Sequence, residues 1–367
     1  MKTADVLIIG GGIIGCSIAL ELARARVRVL LLERDRVGCE ASGEAAGYLA
    51  PQAEGLAPGP FLDLCLKSRE MFGPLQETLR EETGIDIEYL RSGALYLLLT
   101  EEDEAYGRRL YAEQRDRGLR VEQWDRQQVL EAEPHVTPAV RGALYLPDDH
   151  QVQNARMVRA LVLAGTRHGA QYVEGSPVTG VVRKGDRVTG VRSVAETYHA
   201  GKVVIAAGAW SGTLGELVRH EIPIRPARGQ LLSLQTRGDV LRHILFGREA
   251  YLVPRANGEV AVGSTVEFVG FDKHVTAAGI EGLLTAARKL VPALASRPML
   301  AAWAGFRPWT PDELPFLGAV PGSPGLYIAS GHFRKGILLA PITGHLMAEL
   351  LRDQEPSLPF SVFRLDR

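Results

Sequence analysis

Three glycines and one acid near the amino terminus have the types and spacing that bind a dinucleotide. Gly10, Gly12 and Gly15 follow an apolar run, and Glu33 ends a second apolar run after a helical segment. In this arrangement the first glycine permits a tight turn, the second lets a pyrophosphate approach the backbone, and the third lets helix pack on strand. The amino end of the helix offers free N–H groups and partial positive charge to the phosphates. The pattern therefore predicts a dinucleotide site in which Glu33 takes the ribose hydroxyls.

Arg307 stands apart from the other cations because of its surroundings. Most of the 42 basic residues are arginine, and one taken at random is a solvated surface charge. Arg307 follows a predicted strand and shares its segment with Pro308, Pro311 and Pro315. A planar guanidinium on a proline-stiffened turn can bind a carboxylate through two parallel hydrogen bonds. No Ser/His/Asp set or pair of acid/base carboxylates is recognisable, so we expect a cofactor to supply the chemistry.

The bulk composition excludes several classes of protein. The chain has 367 residues and a formal net charge of −1, so nothing favours nucleic acid as a partner. No segment reaches the roughly 18 unbroken apolar residues of a membrane span. Three cysteines are too few and too odd in number for a disulfide framework, and no Cys/His cluster indicates a metal site.

A secretory or lipoprotein signal is the alternative interpretation of the amino terminus. Lys2 precedes an apolar stretch that reaches Cys16, and such a stretch imitates a signal peptide. Three consecutive glycines interrupt it, however, and the chain continues into an amphipathic helix and a strand. We therefore expect a cytoplasmic protein in a reducing compartment.

The elements that must position these residues form a predicted α/β fold. Strand–glycine segments at 203–208 and 326–331 accompany the opening strand and favour one parallel sheet built from three separated pieces. Strand-rich segments between the pieces predict a second, mostly antiparallel domain. The resulting division assigns residues 1–85, 142–223 and 301–367 to the cofactor domain, and residues 86–141 and 224–300 to the substrate domain.

Periodicity also predicts individual elements. Apolar residues recur at helical intervals over residues 61–82 and again from about 337 to 351. Residues 85–90 and 94–99 alternate like strands on either side of Arg91-Ser92-Gly93, which predicts a hairpin.

Seven segments together resemble the D-amino-acid oxidase superfamily of FAD-dependent oxidoreductases, and within it the glycine oxidases of thiamine biosynthesis. They are the amino-terminal glycine motif with Glu33, the loop at 40–47, VVIAAGAW at 203–210, RPARGQ at 225–230, AYLVP at 250–254, GFRPWTPDELP at 305–315 and GHFRKGILLAP at 331–341. The likeness runs over nearly the whole chain. It implies a Rossmann-like FAD-binding domain and a second, mostly antiparallel sheet that holds the substrate.

The resemblance implies noncovalently bound FAD. Related sarcosine oxidases attach their flavin through a cysteine in the segment that matches residues 307–318, and no cysteine occurs there. The amino end of the last helix would stabilise the negative charge of a reduced flavin. His332 is expected to orient backbone rather than to act as a base. The residues assigned to the cofactor are Gly10, Gly12, Ile13, Ile14, Gly15, Glu33, Arg34, Ser42, Ala46, Gly47, Val178, Gly208, Trp210, Gly305, Gly331, His332, Arg334, Lys335, Gly336 and Ile337.

The resemblance also assigns the substrate side of the site. Arg307 and Tyr251 would hold the substrate carboxylate, and the carbonyl of Arg334 would accept a hydrogen bond from its amine. Glu249 and Tyr48 are further candidates for the pocket wall. Each assignment has a plain alternative, because a tyrosine here can be core and a loop cation can be solvated.

The implied activity is oxidative deamination of glycine or another small amino acid or amine. Hydride would pass from the Cα–H bond of the substrate, whose amine is neutral, to FAD. Dioxygen would be the final acceptor, and the products would be a 2-oxo acid, ammonia and hydrogen peroxide. Glycine, sarcosine, D-alanine and D-proline stay open as substrates. The alternatives are a flavin dehydrogenase with another acceptor, a nicotinamide-dependent reductase and a non-catalytic flavin protein. The family also leads us to expect a homo-oligomer.

Overall fold

The computed structural model describes residues 2–218, 220–236, 240–359 and 361–367. These residues form the strands β1 Thr3–Ile9, β2 Val29–Leu32, β3 Tyr48–Leu49, β4 Ala94–Leu98, β5 Glu122–Asp125, β6 Gly142–Leu146, β7 His150–Gln151, β8 Gln171–Val173, β9 Val178–Lys184, β10 Arg187–Ser193, β11 Thr197–Ile205, β12 Arg225–Gln235, β13 Ile244–Phe246, β14 Tyr251–Pro254, β15 Glu259–Gly263, β16 Met299–Trp309, β17 Phe316–Ala319 and β18 Leu326–Ser330. They also form the helices α1 Ile13–Arg24, α2 Ala41–Glu44, α3 Pro60–Glu70, α4 Phe72–Thr83, α5 Glu101–Asp116, α6 Arg126–Ala132, α7 Asn154–Arg167, α8 Gly215–Val218, α9 Ala277–Leu290 and α10 Gly336–Leu351. Within the described ranges, no helix combines the length and apolarity needed to cross a membrane.

The first sheet confirms the parallel sheet assembled from three separated pieces. Its order is β17-β18-β11-β1-β2-β8, and β10 and β9 extend from β11 as an antiparallel ribbon. Strand β1 pairs in parallel with β2 and β11, and β11 pairs in parallel with β18. The central strands are continuous apolar runs because both faces of the sheet are covered. The carboxyl ends of these parallel strands therefore meet at one edge, where an α/β sheet binds its ligand.

The second sheet is mostly antiparallel, as predicted. Its order is β16-β12-β15-β14-β13-β4-β6-β5, with one parallel pair between β4 and β13. One face packs against α6 and α9 in an apolar cluster. The other face carries Leu231, Phe246 and Tyr251 in a separate cluster that includes residues of the loop after α2. This second face turns toward the first sheet and its ligand edge.

The predicted domain boundaries at 142 and 301 cut through the second sheet. Strand β6 pairs with β4, and β16 pairs with β12 along nearly its whole length. Both strands thus belong to the second sheet, and Arg307 lies inside a strand rather than after one. An apolar run does not reveal which of two sheets it joins, because that is decided by pairing between distant segments.

The predicted hairpin over 85–99 is wrong. Strand β4 takes its neighbours from β6 and β13, whereas Leu90 makes a single bridge to Gln151. The positive φ of Glu88, 53°, interrupts the extended backbone, and Ile87 is buried in the core of the first sheet. The helix predicted over 61–82 is two helices that meet at Met71, since Pro74 cannot donate the hydrogen bond that would continue α3.

Candidate active site

A cavity of 370 Å³ lies between the ligand edge of the first sheet and the inner face of the second. Its volume falls in the range of roughly 300–1,000 Å³ that is typical of small-molecule and cofactor sites. Most of the residues assigned from the sequence lie on its wall: Gly10, Gly12, Ile13, Ile14, Glu33, Arg34, Ser42, Ala46, Gly47, Tyr48, Val178, Gly208, Trp210, Tyr251, Gly305, Arg307, His332, Arg334, Gly336 and Ile337.

The three motif glycines have different surroundings at the first end of the cavity. Gly10 has a φ of +111°, and a Cβ on it would lie 2.5 Å from the carbonyl oxygen of Ala206. A Cβ on Gly15 would lie 2.1 Å from the carbonyl oxygen of Gly10, so Gly15 serves helix packing and does not line the cavity. The nearest atom to a Cβ on Gly12 would be the Ser42 hydroxyl, at 3.3 Å. Gly12 therefore leaves an open approach to the backbone.

The polar groups beside these glycines are held in place by backbone contacts. The carboxylate of Glu33 accepts hydrogen bonds from Gly11 N at 2.7 Å and Asp35 N at 2.9 Å. The Ser42 hydroxyl accepts from Ile13 N at 2.9 Å and so caps the first turn of α1. An open glycine backbone, a helix amino end and a fixed carboxylate suit the adenosine diphosphate part of FAD.

Arg34 and Trp210 together form one wall of this end. The Arg34 guanidinium lies 3.7 Å from the centroid of the Trp210 ring, which is a cation–π contact. Arg34 also pairs with Glu40 at 3.2 Å. Contacts within the protein therefore fix the Arg34 guanidinium over the face of the Trp210 ring.

Arg307 lies on the opposite side of the cavity with neutral partners. Its Nη1 donates to the Thr265 carbonyl at 3.0 Å and its Nη2 donates to the Ser264 hydroxyl at 2.5 Å. None of the carboxylates in the described part of the chain lies within 4.0 Å of it, the distance that defines an ion pair here. Because a guanidinium has five N–H donors, Arg307 keeps donors and an uncompensated charge for an anionic ligand.

Two strand glycines that sequence reasoning missed, Gly229 and Gly263, lie directly beneath the side chains of Arg307 and Tyr251. A Cβ on Gly229 would lie 2.2 Å from Arg307 Nη2. Gly263 stands directly opposite Tyr251 in the β14–β15 register, and a Cβ on it would lie 2.4 Å from the Tyr251 hydroxyl. A glycine in the middle of a strand often marks such a close approach. That was the available signal, but it does not say which side chain approaches.

Tyr48 and Arg334 line the end of the cavity that the family resemblance assigns to the substrate, called the substrate end below. The rings of Tyr48 and Tyr251 have centroids 4.8 Å apart in an edge-on arrangement, and burial raises the pKa of the Tyr48 hydroxyl. That hydroxyl donates to Glu54 at 3.0 Å, and Arg334 pairs with the same carboxylate at 2.8 Å. Sequence reasoning did not single out Glu54, because it lies in a turn with no recognisable motif.

Besides Gly15, three assigned residues lie outside the cavity wall. Glu249 precedes β14, is exposed and pairs with Lys289 at 2.8 Å, so its assignment to the pocket is corrected. The side chain of Lys335 is buried behind the wall against Glu54. Gly331 adopts a φ of +82° and packs on Thr310, which shapes the turn before α10 rather than the cavity.

His332 is a wall residue with an internal partner. Its Nε2 lies 3.0 Å from the Thr343 hydroxyl, and the side chain is buried. Burial lowers its pKa to about 3, so the imidazole is neutral near pH 7. Together with the amino end of α10 at Gly336, it fixes the backbone at this end of the cavity.

Comparison with known proteins finds relatives over nearly the whole chain. The family described as FAD dependent oxidoreductase, DAO, matches residues 5–350. A glycine oxidase of Geobacillus kaustophilus (strain HTA426) is 37% identical over 365 residues, which are 99% of this chain and 97% of that protein. A bifunctional protein ThiO/ThiG of Synechocystis is 40% identical over 362 residues, which are 97% of this chain and 52% of that protein. The crystal structure of the Geobacillus kaustophilus glycine oxidase matches with a TM-score of 0.96 at 36% identity, covering 100% of this chain and 99% of that one.

Proposed function

The chain belongs to the FAD dependent oxidoreductase family, and from that premise we propose that it oxidatively deaminates glycine and other small amino acids. The reaction converts glycine, dioxygen and water into glyoxylate, ammonia and hydrogen peroxide. The observation that carries the proposal is Arg307, a guanidinium that has no carboxylate partner among the described residues and lines the same cavity as Tyr251. Likeness to the Geobacillus kaustophilus glycine oxidase supports glycine as substrate.

FAD is the cofactor of this family, and the residues on the wall suit it. The amino end of α1 and the open backbone at Gly12 would take the pyrophosphate, and Glu33 would take the adenosine ribose. The amino end of α10, at Gly336, would face the ring system and favour negative charge there. When bound, FAD supplies the two-electron acceptor for the amino acid.

The contribution of the protein is orientation. Arg307 can offer two parallel N–H groups to the substrate carboxylate, and the Tyr251 hydroxyl can donate a third hydrogen bond. The carbonyl of Arg334 can accept from the substrate amine at the other side of the cavity. Holding both ends of a small molecule fixes the bond that reacts, which is a large source of catalysis.

Each carboxylate described on the cavity wall already has a partner, so none stands ready as a base. Glu33 accepts from backbone N–H groups. Lys273 pairs with both Glu40 and Glu44. His332 is occupied by Thr343, and the nearby Glu54 is paired with cations. The substrate must therefore react with its amine already neutral. Removal of the amine proton is left to solvent.

We place the reaction in thiamine biosynthesis, as the likeness to part of a ThiO/ThiG protein supports. The number of subunits stays a prediction from the family.

A peroxide-coupled assay of the purified protein tests the proposal. We expect peroxide from glycine under air. Sarcosine, D-alanine and D-proline are assayed in the same way, and their rates relative to that of glycine define the substrate preference. Turnover that requires an artificial acceptor and yields no peroxide under air would establish a dehydrogenase instead. Failure to oxidise any of the four compounds with either acceptor would overturn the proposal.

A further inference from the structure

Two guanidiniums line the same cavity but differ in their partners. Arg307 contacts a backbone carbonyl and a hydroxyl, both neutral. Arg334 pairs at 2.8 Å with Glu54, whose side chain is 5% exposed. A small carboxylate that enters this cavity therefore meets one guanidinium that lacks a carboxylate partner among the described residues, and one that is already neutralised.

Glu54 makes three contacts in this buried position. One carboxylate oxygen accepts from the Tyr48 hydroxyl at 3.0 Å and pairs with Arg334, and the other pairs with Lys335. Lys335 is 7% exposed, so Glu54 compensates a second cation that has little access to water. Two cationic partners and one hydroxyl partner compensate the burial of this carboxylate.

The turn that carries Glu54 is fixed by a second buried network. Asp149 accepts from Ala53 N at 2.7 Å and from Gln52 N at 3.4 Å. Arg69 joins Asp149 at 3.0 Å and the Gln52 side chain at 2.6 Å. The hydrogen bonds from Gln52 N and Ala53 N to Asp149 thus hold the backbone directly before Glu54. The position of the carboxylate is a property of the fold and does not depend on a mobile surface side chain.

We propose that Glu54 is a positioning residue that sets the orientation of the substrate, by occupying Arg334 so that the substrate carboxylate binds at Arg307. This role of Glu54 rests on the proposed function in one respect, namely that the substrate is a small monocarboxylate with an amine. Both guanidiniums would otherwise attract the carboxylate, and a molecule as small as glycine could bind in two opposite directions. With Glu54 present, the Arg334 side of the cavity accepts the amine end.

The removal of this negative charge should open a second anion site. In Glu54→Gln, Arg334 loses its carboxylate partner, and its guanidinium presents an uncompensated positive charge to the cavity. Substrate bound backwards is then nonproductive, and nonproductive binding lowers kcat and KM by the same factor while kcat/KM is unchanged. A role confined to stability would not produce this linked fall.

A rescue experiment tests the proposal independently of turnover. Acetate, a carboxylate without an amine, is titrated into the FAD-loaded protein while the flavin absorbance is followed. We expect Arg307→Leu to weaken acetate binding about a hundredfold, the loss of one charge-assisted bidentate contact. We expect Arg307→Leu combined with Glu54→Gln to recover at least about tenfold of that loss, because Arg334 becomes available.

Matched variants separate charge from packing. Glu54→Asp keeps the carboxylate and should give no recovery in the Arg307→Leu background. Glu133→Gln changes another buried acid, one that binds His243 at 2.8 Å away from the cavity, and should also give none. If Glu54→Gln does not fold, the pair Glu54→Gln and Lys335→Met removes the lysine that it leaves unpaired, and the same recovery is expected. Acetate binding as weak as in Arg307→Leu alone, in either recovery variant, would overturn the proposal whether or not the enzyme oxidises glycine.

Discussion

The two ends of the cavity are built by different means. The cofactor end is formed by backbone within a short stretch, where Gly10, Gly12 and Gly15 lie on one turn and one helix. The substrate end gathers side chains and bare backbone from four strands, β12, β14, β15 and β16, and its contacts depend on their register. A contiguous motif keeps its geometry through local structure. A site assembled across a sheet keeps its geometry only while every pairing is in place.

The largest expected effect breaks the substrate end and spares the cofactor end. Arg307→Leu should lower kcat/KM for glycine at least about a hundredfold, because the substrate carboxylate loses its charged partner. FAD affinity should be unchanged. Steady-state kinetics and FAD titration check the two expectations. The control is Arg352→Leu, which alters an exposed arginine after α10, and wild-type kinetics in Arg307→Leu would remove Arg307 from the site.

The next prediction concerns the cofactor end and distinguishes the roles of two glycines in the same motif, Gly12 and Gly15. Gly12→Ala should weaken FAD binding about thirtyfold, the cost of one methyl group in a close contact, because its Cβ points into the open approach. The apoprotein should fold, since the nearest atom to that Cβ would be 3.3 Å away. Gly15→Ala should instead impair folding, because its Cβ would lie 2.1 Å from a backbone oxygen. Melting temperature of the apoprotein and FAD titration distinguish the two, and equal effects of both substitutions would contradict the comparison.

A smaller effect tests the bare backbone under Arg307. Gly229→Ala should raise KM for glycine about tenfold, because its Cβ would displace the guanidinium and cost roughly one charged hydrogen bond. FAD affinity should stay the same. Gly282→Ala is the matched control, since a Cβ on Gly282 in α9 meets nothing within 4 Å. If Gly229→Ala binds glycine normally, Arg307 does not depend on this close approach.

Much of the first sheet and its cofactor end could be predicted from the sequence, and less of the substrate end. The glycines and Glu33 lie in one stretch whose strand and helix periods are visible without any partner. Arg307 was singled out by its proline-rich segment, whereas its substrate role and that of Tyr251 came from the family resemblance. Gly229 and Gly263 were missed because their role is set by cross-strand neighbours that periodicity cannot identify.

Two errors have the same physical origin. Glu249 would share a strand face with Tyr251 only if the strand began before it, but β14 begins at Tyr251 and Glu249 pairs with Lys289. Glu54 carries a single charge in an irregular turn, so nothing in its local pattern distinguishes it from a solvated acid. Its importance comes from Tyr48, Arg334 and Lys335, which are brought to it by tertiary packing.

The last prediction concerns the pH dependence of the free energy of unfolding, which is a different quantity from the binding effects above. Burial depresses the folded-state pKa of His332 to about 3 from its ordinary 6.5. The unfolded chain therefore binds a proton that the folded chain does not, and the contribution of His332 is present above pH 6.5 and lost as pH falls toward 3. His332→Asn should flatten the dependence of the unfolding free energy on pH in that window, as measured by denaturant titration. An unchanged slope would mean that other groups account for acid sensitivity.

Anaerobic mixing of the FAD-loaded protein with glycine tests the proposed reaction most directly. We expect the flavin to lose its visible absorbance and Arg307→Leu to slow this step. Admission of air should restore the oxidised spectrum, with one hydrogen peroxide formed for each glyoxylate. A protein that binds FAD but whose spectrum does not change with glycine, sarcosine, D-alanine or D-proline would contradict the proposed reaction.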